Sequence, residues 1–288
     1  MADVFMPRTL DELLDLKEKK QSLALFAGGT DLMVALRHHR IQPKALACLD
    51  HMDAMREITD TGNHIAMGAG TTHAGLLASP LVQEHIPVLA RALETLGSPH
   101  IRNMGTLGGN IVTASPAGDC LPPLTVLNAR VELASRDGFQ TLPISDFITG
   151  PGTTCLKPGQ ILWRVLVPKT PAYCIHHFEK VGLRRSLSIA VVSMAAVLNL
   201  APDGCIQAVR MAWGSVGKTV VTCPEAEDIL SGNPLDPAVL EKAAQAVMQW
   251  VNPISDVRAT AGYRRKVAGN LVLRLTRYAA PPEGGVRP

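Results

Sequence analysis

Leu23-Ala24-Leu25-Phe26-Ala27-Gly28-Gly29-Thr30-Asp31 is a short apolar run that opens directly into two glycines beside a hydroxyl and a carboxylate. About eighty residues later Thr106-Leu107-Gly108-Gly109-Asn110 repeats the arrangement. It runs on through Thr113-Ala114-Ser115-Pro116-Ala117-Gly118-Asp119. Glycine has no Cβ, so its backbone can approach a bound group closely and can adopt positive φ. Successive N–H groups in such turns make concave anion sites. Two of these loops can grip one diphosphate from both sides, which points to a nucleotide cofactor. The apolar run before the first loop reads as a buried strand, and the spacing predicts a helix over 31–40. Strand, glycine turn and helix together present a phosphate to a helix N-terminus.

Outward from the loops, Thr9 caps a helix beginning at Leu10, with Glu12 placed to complete a capping box. A strand is expected over 45–49 and a hairpin over 58–68, turning at Thr61-Gly62-Asn63. Thr71 or Thr72 can cap a helix through Leu77, and a longer helix over 86–96 ends at Gly97. Strands follow over 126–134 and 161–167. Lys169-Thr170-Pro171-Ala172 is the natural boundary, giving domains of 1–172 and 173–288. Beyond it the apolar run 188–200 suits a buried strand or helix, and 205–213 alternates like its hairpin partner. Asp236-Pro237 opens a helix to Val251. A last amphipathic helix is expected over 255–277, with Val257, Tyr263, Val267, Leu271 and Leu275 on or near its buried face. Pro281–Pro288 reads as a frayed tail.

The 288 residues carry a formal net charge of only +3, and no basic run has interleaved aromatics, so nucleic-acid binding is not expected. Arg184-Arg185 and Arg264-Arg265-Lys266 read as solvated faces or partner contacts. No stretch of eighteen apolar residues would cross a membrane. The start lacks a basic segment followed by an apolar one, so a cytoplasmic protein is expected. Six cysteines lie scattered, without a C-x-x-C group, which speaks against an iron–sulfur cluster on this chain and for an organic cofactor. His38-His39 and His176-His177 read as exposed or partner-facing, with no metal site. Two nucleotide motifs almost form. Gly68-Ala69-Gly70-Thr71-Thr72-His73 lacks the third glycine of a dinucleotide fingerprint. Gly217-Lys218-Thr219 ends like a phosphate loop, but Ala212 stands where the first glycine belongs and a strand-like Val220-Val221 follows.

Several separated motifs resemble the flavoprotein (medium) subunit of the molybdenum hydroxylases, the xanthine dehydrogenase and carbon monoxide dehydrogenase family. They are Ala27-Gly28-Gly29-Thr30-Asp31-Leu32, then Ile101-Arg102-Asn103-Met104-Gly105-Thr106-Leu107-Gly108-Gly109-Asn110-Ile111, then Ala114-Ser115-Pro116 with Asp119. Phe178-Glu179-Lys180 with Arg184-Arg185, and Asp256-Val257-Arg258-Ala259 with Tyr263-Arg264, resemble its downstream segments. The resemblance implies an α+β fold, with an FAD-binding domain of two α+β subdomains and a smaller C-terminal α+β domain. It implies an oxidoreductase subunit carrying FAD. Its partners would be a small subunit with [2Fe-2S] clusters and a large subunit with molybdopterin, and its acceptor NAD+ or another oxidant.

The same resemblance gives the diphosphate to the backbone of Ala27, Gly28, Gly29, Thr30, Asp31 and Leu32 and of Gly108, Gly109 and Asn110. Thr30, Thr106, Asn110 and Thr113 add side-chain hydrogen bonds. Asp119 accepts from a ribose hydroxyl, Leu96 and Leu162 pack near the rings, and Lys180 places a cation beside the flavin. No catalytic acid or base is needed, since the redox chemistry belongs to the flavin. Many family members carry an acidic residue shortly after the arginine pair, where this chain has Ser186-Leu187-Ser188. The cysteine-bearing insertion of the relatives that reduce aromatic thioesters is absent. A stand-alone FAD-dependent oxidoreductase of the same fold is the alternative, and a non-catalytic flavin-binding accessory protein a third reading.

Overall fold

In this computed structural model, residues 2–20, 22–184 and 187–279 are described, and the chain forms two units. Arg185 and Ser186, and with them part of the arginine-pair segment, lie outside the described residues, as does the Pro281–Pro288 tail. The first unit runs to Ser115 and resumes over Asn128–Thr170. The second takes Pro116–Leu127 and the residues from Pro171 onward.

The first unit begins with β1 (Asp3–Phe5), β2 (Leu23–Phe26) and β3 (Ala45–Cys48), a parallel sheet in the order β1-β3-β2. The helix Leu10–Lys19 makes the crossover between β1 and β2. Thr9 Oγ accepts from the Glu12 N–H at 3.2 Å, as its sequence suggests. The Glu12 carboxylate reaches past the cap to the Arg8 N–H at 2.7 Å. Further along are β4 (Ile58–Asp60), β5 (His64–Gly68), β6 (Arg130–Ser135), β7 (Gly138–Pro143), β8 (Ile148–Gly150), β9 (Thr153–Thr154) and β10 (Ile161–Pro168). Five of them form an antiparallel sheet in the order β4-β5-β10-β6-β7, and β8 pairs with β9 alone. Arg164 on β10 grips Glu132 on β6 through two hydrogen bonds of 2.7 and 3.2 Å. Helices at His73–Ala78, Pro80–His85, Pro87–Thr95, Pro99–Met104 and Leu107–Thr113 fill the stretch between β5 and β6. Three of them begin at a proline, whose missing N–H is harmless in a first turn.

In the second unit β11 (Ile175–Gly182), β12 (Ala190–Leu200), β13 (Ile206–Gly214) and β14 (Val221–Thr222) make an antiparallel sheet in chain order. Helices Pro224–Leu230, Pro237–Trp250 and Ala261–Leu273 share its core with Met194, Met211 and Trp213. The Trp213 indole N–H donates to the Ala268 carbonyl at 3.1 Å. The short helix Leu121–Val126 packs on β12 and β13.

Five readings change. The helix after the first glycine loop spans only Leu32–Arg37, because His39 turns into the left-handed region at φ 55°. The strand expected over 126–134 starts at Arg130, and Leu121–Val126 before it is helical, its two prolines sitting harmlessly in the first turn. The last helix begins at Ala261, capped by Thr260, and ends at Leu273 in a 3-10 turn. Val257 (99% exposed) and Tyr263 (51%) are therefore not on its buried face. Arg264, read as part of a solvated or partner-contacting cluster, is 3% exposed, and His177, read as exposed or partner-facing, is 2% exposed and touches the Tyr278 hydroxyl.

Buried Arg264 ties the second unit together. Its guanidinium donates to the carbonyls of Val191 (2.7 Å) and Ser215 (3.1 Å) and to Asp256 Oδ1 (2.7 Å). Asp256 also accepts from the Arg258 N–H, its strongest stabiliser, and from the Ala259 N–H, which hold its carboxyl well below the usual range. Arg264→Met leaves two buried carbonyls without a donor and is expected to cost on the order of 3 kcal/mol in urea unfolding. Because the native Asp256 carboxyl is depressed, its contribution is present above the ordinary carboxylate pKa and fades as pH falls below it. Asp256→Asn is expected to flatten the acid limb of the stability curve, and an unchanged limb would remove Asp256 from the account.

Candidate functional site

The first glycine loop leaves β2 and turns at Gly29, whose φ of +69° an L side chain rarely adopts. At Gly28 the place a Cβ would take is already filled by the carbonyl of Met104. Only glycine lets the backbone of this loop lie on the backbone that leads into the second loop. A second tie joins them further out, where the Thr113 hydroxyl donates to Asp31 Oδ2 at 3.1 Å. Ala27–Asp31 and Thr106–Thr113 are thus neighbours in one unit, as their shared chemistry suggests.

The two loops differ in their hydrogen bonding. Thr106 caps the helix Leu107–Thr113, its hydroxyl accepting from the Gly109 N–H at 3.2 Å and its carbonyl from the Asn110 N–H at 3.0 Å. The Leu107 N–H goes to the Thr71 carbonyl (2.9 Å) and the Gly108 N–H to that of Ala69 (2.8 Å). A Cβ on Gly108 would stand 2.7 Å from the Ala69 methyl, so glycine again permits the approach. The backbone donors of Gly108, Gly109 and Asn110, which the sequence reading gave to a ligand, are engaged within the protein. The N–H groups of Gly28, Gly29 and Thr30 have no protein partner among the described residues. The first loop therefore offers donors, and the second offers side chains and the absence of Cβ atoms.

A cavity of about 270 Å³ opens between them in the first unit. Ala27, Gly28 and Thr106 line it from the two loops, and Gly70 and Thr72 from the stretch that misses the dinucleotide fingerprint. Asn103 and Met104 complete one wall, Asp50 and Arg56 another. Sequence reasoning missed Thr72, Asn103, Asp50 and Arg56. Thr72 had a signal, as a cap residue following two glycines; Asp50 and Arg56, in the connection from β3 to β4, had none. Beside the cavity the Asn110 side-chain oxygen and the Thr71 hydroxyl are buried without a hydrogen bond. The buried His73 ring is held neutral, its pKa lowered to about 4 by desolvation and then by Arg102. Leu96 follows the helix Pro87–Thr95 and Leu162 lies at a bulge of β10; both are buried, and neither lines this cavity.

The remaining predicted residues belong to the second unit. Lys180 on β11 donates to Asp119 Oδ2 at 2.7 Å, with both side chains 10% exposed or less. Burial pushes the Asp119 carboxyl up, and Lys180 offsets this only in part. Asp119 Oδ1 is buried with no partner. The neighbouring Cys120 thiol is pushed up by complete burial and is inert. The sequence suggested neither the pairing of these two residues nor the orphaned oxygen.

Within the first unit, the free N–H groups at Gly28–Thr30 and the buried Asn110 amide oxygen are groups that a dinucleotide's phosphates and hydroxyls satisfy, so these residues fit such a cofactor. Residues 1–170 match the FAD-binding domain of molybdopterin dehydrogenases, and residues 177–279 the C-terminal domain of CO dehydrogenase flavoproteins. The chain belongs to the FAD-binding medium-subunit family of the molybdenum hydroxylases, and is an oxidoreductase flavoprotein subunit of α+β fold. Its relatives include the nicotine 6-hydroxylase medium subunit of Paenarthrobacter nicotinovorans, 31% identical over 93% of each chain. The xanthine dehydrogenase FAD-binding subunit of Escherichia coli O157:H7 is 30% identical, covering 96% of this chain and 95% of the relative. Among solved structures, a chain of the Cu,Mo-CO dehydrogenase superposes with a TM-score of 0.91 at 27% identity, over 96% of this chain and 97% of the other. Quinoline 2-oxidoreductase from Pseudomonas putida 86 gives 0.92 at 26%, over 97% and 96%.

Two substitutions test this geometry. Gly28→Ala drives a methyl into the Met104 carbonyl and is expected to cost about 1–3 kcal/mol of stability and to lower FAD affinity. Lys180→Met leaves a buried carboxylate without its cation and is expected to cost on the order of 3 kcal/mol. Adding Asp119→Asn is expected to restore much of that loss, so additive melting shifts would sink the pairing.

Proposed function

We propose that this chain is the electron-transfer subunit of a heteromeric molybdenum hydroxylase, receiving electrons from the [2Fe-2S] clusters of a small subunit. Those electrons originate at a molybdopterin-bearing large subunit, and the acceptor is NAD+ or a similar oxidant. FAD, when bound, supplies the chemistry of taking up electrons and handing them on. The observation that carries the reading is the pair of glycine loops locked together at Gly28 with the donors of Gly28–Thr30 left open.

In this reading the backbone of Ala27, Gly28, Gly29, Thr30, Asp31 and Leu32 holds the diphosphate. Gly108 and Gly109 keep space clear, and Thr106, Asn110 and Thr113 contribute polar side chains. Leu96 and Leu162 offer apolar surface to the rings. In the second unit Asp119 accepts from a ribose hydroxyl through Oδ1, and Lys180 supplies a positive charge that favours a reduced, anionic flavin. The six cysteines, all free thiols, suit a reducing cytoplasm. Names of relatives support the assembly: a carbon monoxide dehydrogenase medium chain is one of them, and a 6-hydroxypseudooxynicotine dehydrogenase complex subunit another.

The purified full chain is expected to show an oxidised-flavin spectrum whose chromophore leaves with the supernatant on denaturation and is FAD. Tagged chain drawn from its native host is expected to bring iron- and molybdenum-containing subunits with it. Bleaching of the flavin by NADH would support the nicotinamide acceptor. A flavoprotein that copurifies with neither metal would instead favour the stand-alone oxidoreductase.

A further inference from the structure

A diphosphate carries two negative charges, yet every residue of the first unit given to it above is neutral or, like Asp31, acidic. The cavity beside the loops holds the missing charge. Among the described residues that line it, Arg56 alone is cationic. Its guanidinium stands 3.3 Å from Asp50 Oδ1, and the two side chains are 44% and 51% exposed. Such an exposed pair is weak, and salt screens it further. An arginine–phosphate contact is the stronger of the two, because the planar guanidinium can give two parallel charge-assisted hydrogen bonds to phosphate oxygens.

The other polar groups of the cavity point to the same class of ligand. Thr72 and Thr106 both line it, and each hydroxyl accepts a backbone N–H: from Gly75 at 3.0 Å and from Gly109 at 3.2 Å. A hydroxyl that accepts one hydrogen bond still has its own proton to donate. Asn103 adds an amide on the same wall. Donors thus surround the space, and the single acidic lining residue, Asp50, is the one already paired with the cation.

We infer that Arg56 and Thr72 belong to the diphosphate seat of the cofactor, and that Arg56 exchanges Asp50 for a phosphate oxygen when the cofactor binds. This rests on the FAD reading above and adds to it a cation, a hydroxyl and an internal competitor. Asp50 keeps the guanidinium occupied in the empty protein and weakens binding by doing so. The glycine stretch from Gly68 to Thr72, too short of glycines to be a dinucleotide fingerprint, acts as a third wall.

The test is a titration of the full chain, freed of flavin, with FAD and separately with riboflavin, which has no phosphate, followed by flavin fluorescence at low and high salt. Arg56→Met is expected to bind FAD about tenfold more weakly and with a flatter salt dependence, while riboflavin binding is unchanged. Arg56→Lys is expected to recover part of the loss. Asp50→Asn is expected to bind FAD a few-fold more tightly, since it removes the competitor. Both side chains are half exposed, so these variants are expected to melt like the wild type. Wild-type FAD affinity and salt dependence in Arg56→Met, or weaker binding in Asp50→Asn, would overturn the assignment of Arg56 and leave the cofactor reading standing. A wild-type chain that binds no FAD at all would overturn both.

Discussion

Two places where one stretch of backbone rests directly on another govern the first unit. At Gly28 the loop leaving β2 lies on the Met104 carbonyl, and at Gly108 the start of a helix lies on Ala69. A single methyl at either position would force the segments apart. The second contact also decides where the polar groups go. Once Leu107 and Gly108 donate to Thr71 and Ala69, and Thr106 takes the N–H groups of Gly109 and Asn110, the first turn of that helix is satisfied internally. Buried backbone must find partners, and here it finds them in a neighbouring glycine-bearing stretch. The donors left over are those of Gly28–Thr30, in a partly exposed loop where water can serve until a ligand replaces it. A rigid, saturated wall and an open, donor-rich rim are what a preorganised anion site requires.

The second unit answers a different demand with buried charge. Arg264 bonds to two carbonyls and to Asp256, and Lys180 to Asp119. Neither pair is a cheap source of stability, because burying ions costs nearly what their attraction returns. Their use is in fixing position. Arg264 joins β12, the turn after β13 and the loop before the last helix in one node. Lys180 fastens Pro116–Leu127, sequence that follows the second glycine loop, to β11. The orphaned Asp119 oxygen then has a defined place.

Much of this was legible in the chain. Thr9 with Glu12, Thr71 or Thr72, and Asp236 announce helix starts by their hydroxyl or carboxylate, and Thr9, Thr72 and Asp236 each cap one; the helix capped by Thr106 was not announced, its glycines reading as a loop. The apolar runs over β2 and β10 read as strands, and the structure makes them so, though β2, expected to be buried, is only half-buried; the run over β12 reads equally as strand or helix, and sheet pairing decides for the strand. What stayed hidden was non-local. Nothing in Arg264 or His177 distinguishes a buried from a solvated polar residue until β12 and Tyr278 are placed beside them. The pairing of Asp119 with Lys180 spans sixty-one residues, and the meeting of Arg56 with Thr72 and Gly28 depends on three separate connections. The helix expected through Arg40 stopped short because His39 adopts a left-handed turn, a choice its sequence does not impose.

The difference between the loops suits the holding of a redox cofactor. Its task is to hold a charged, extended cofactor in one place and to set the charge around it. The open donors of the first loop, the N–H groups of Gly28–Thr30, are neutral and directional. Arg56 with Asp50, in the first unit, and Lys180 with Asp119, in the second, each occur as an ion pair. Such pairs avoid the cost of an isolated buried ion while keeping a cation close at hand. The Arg56–Asp50 pair is half exposed and can change partners at little cost, whereas the Lys180–Asp119 pair is buried and holds its geometry.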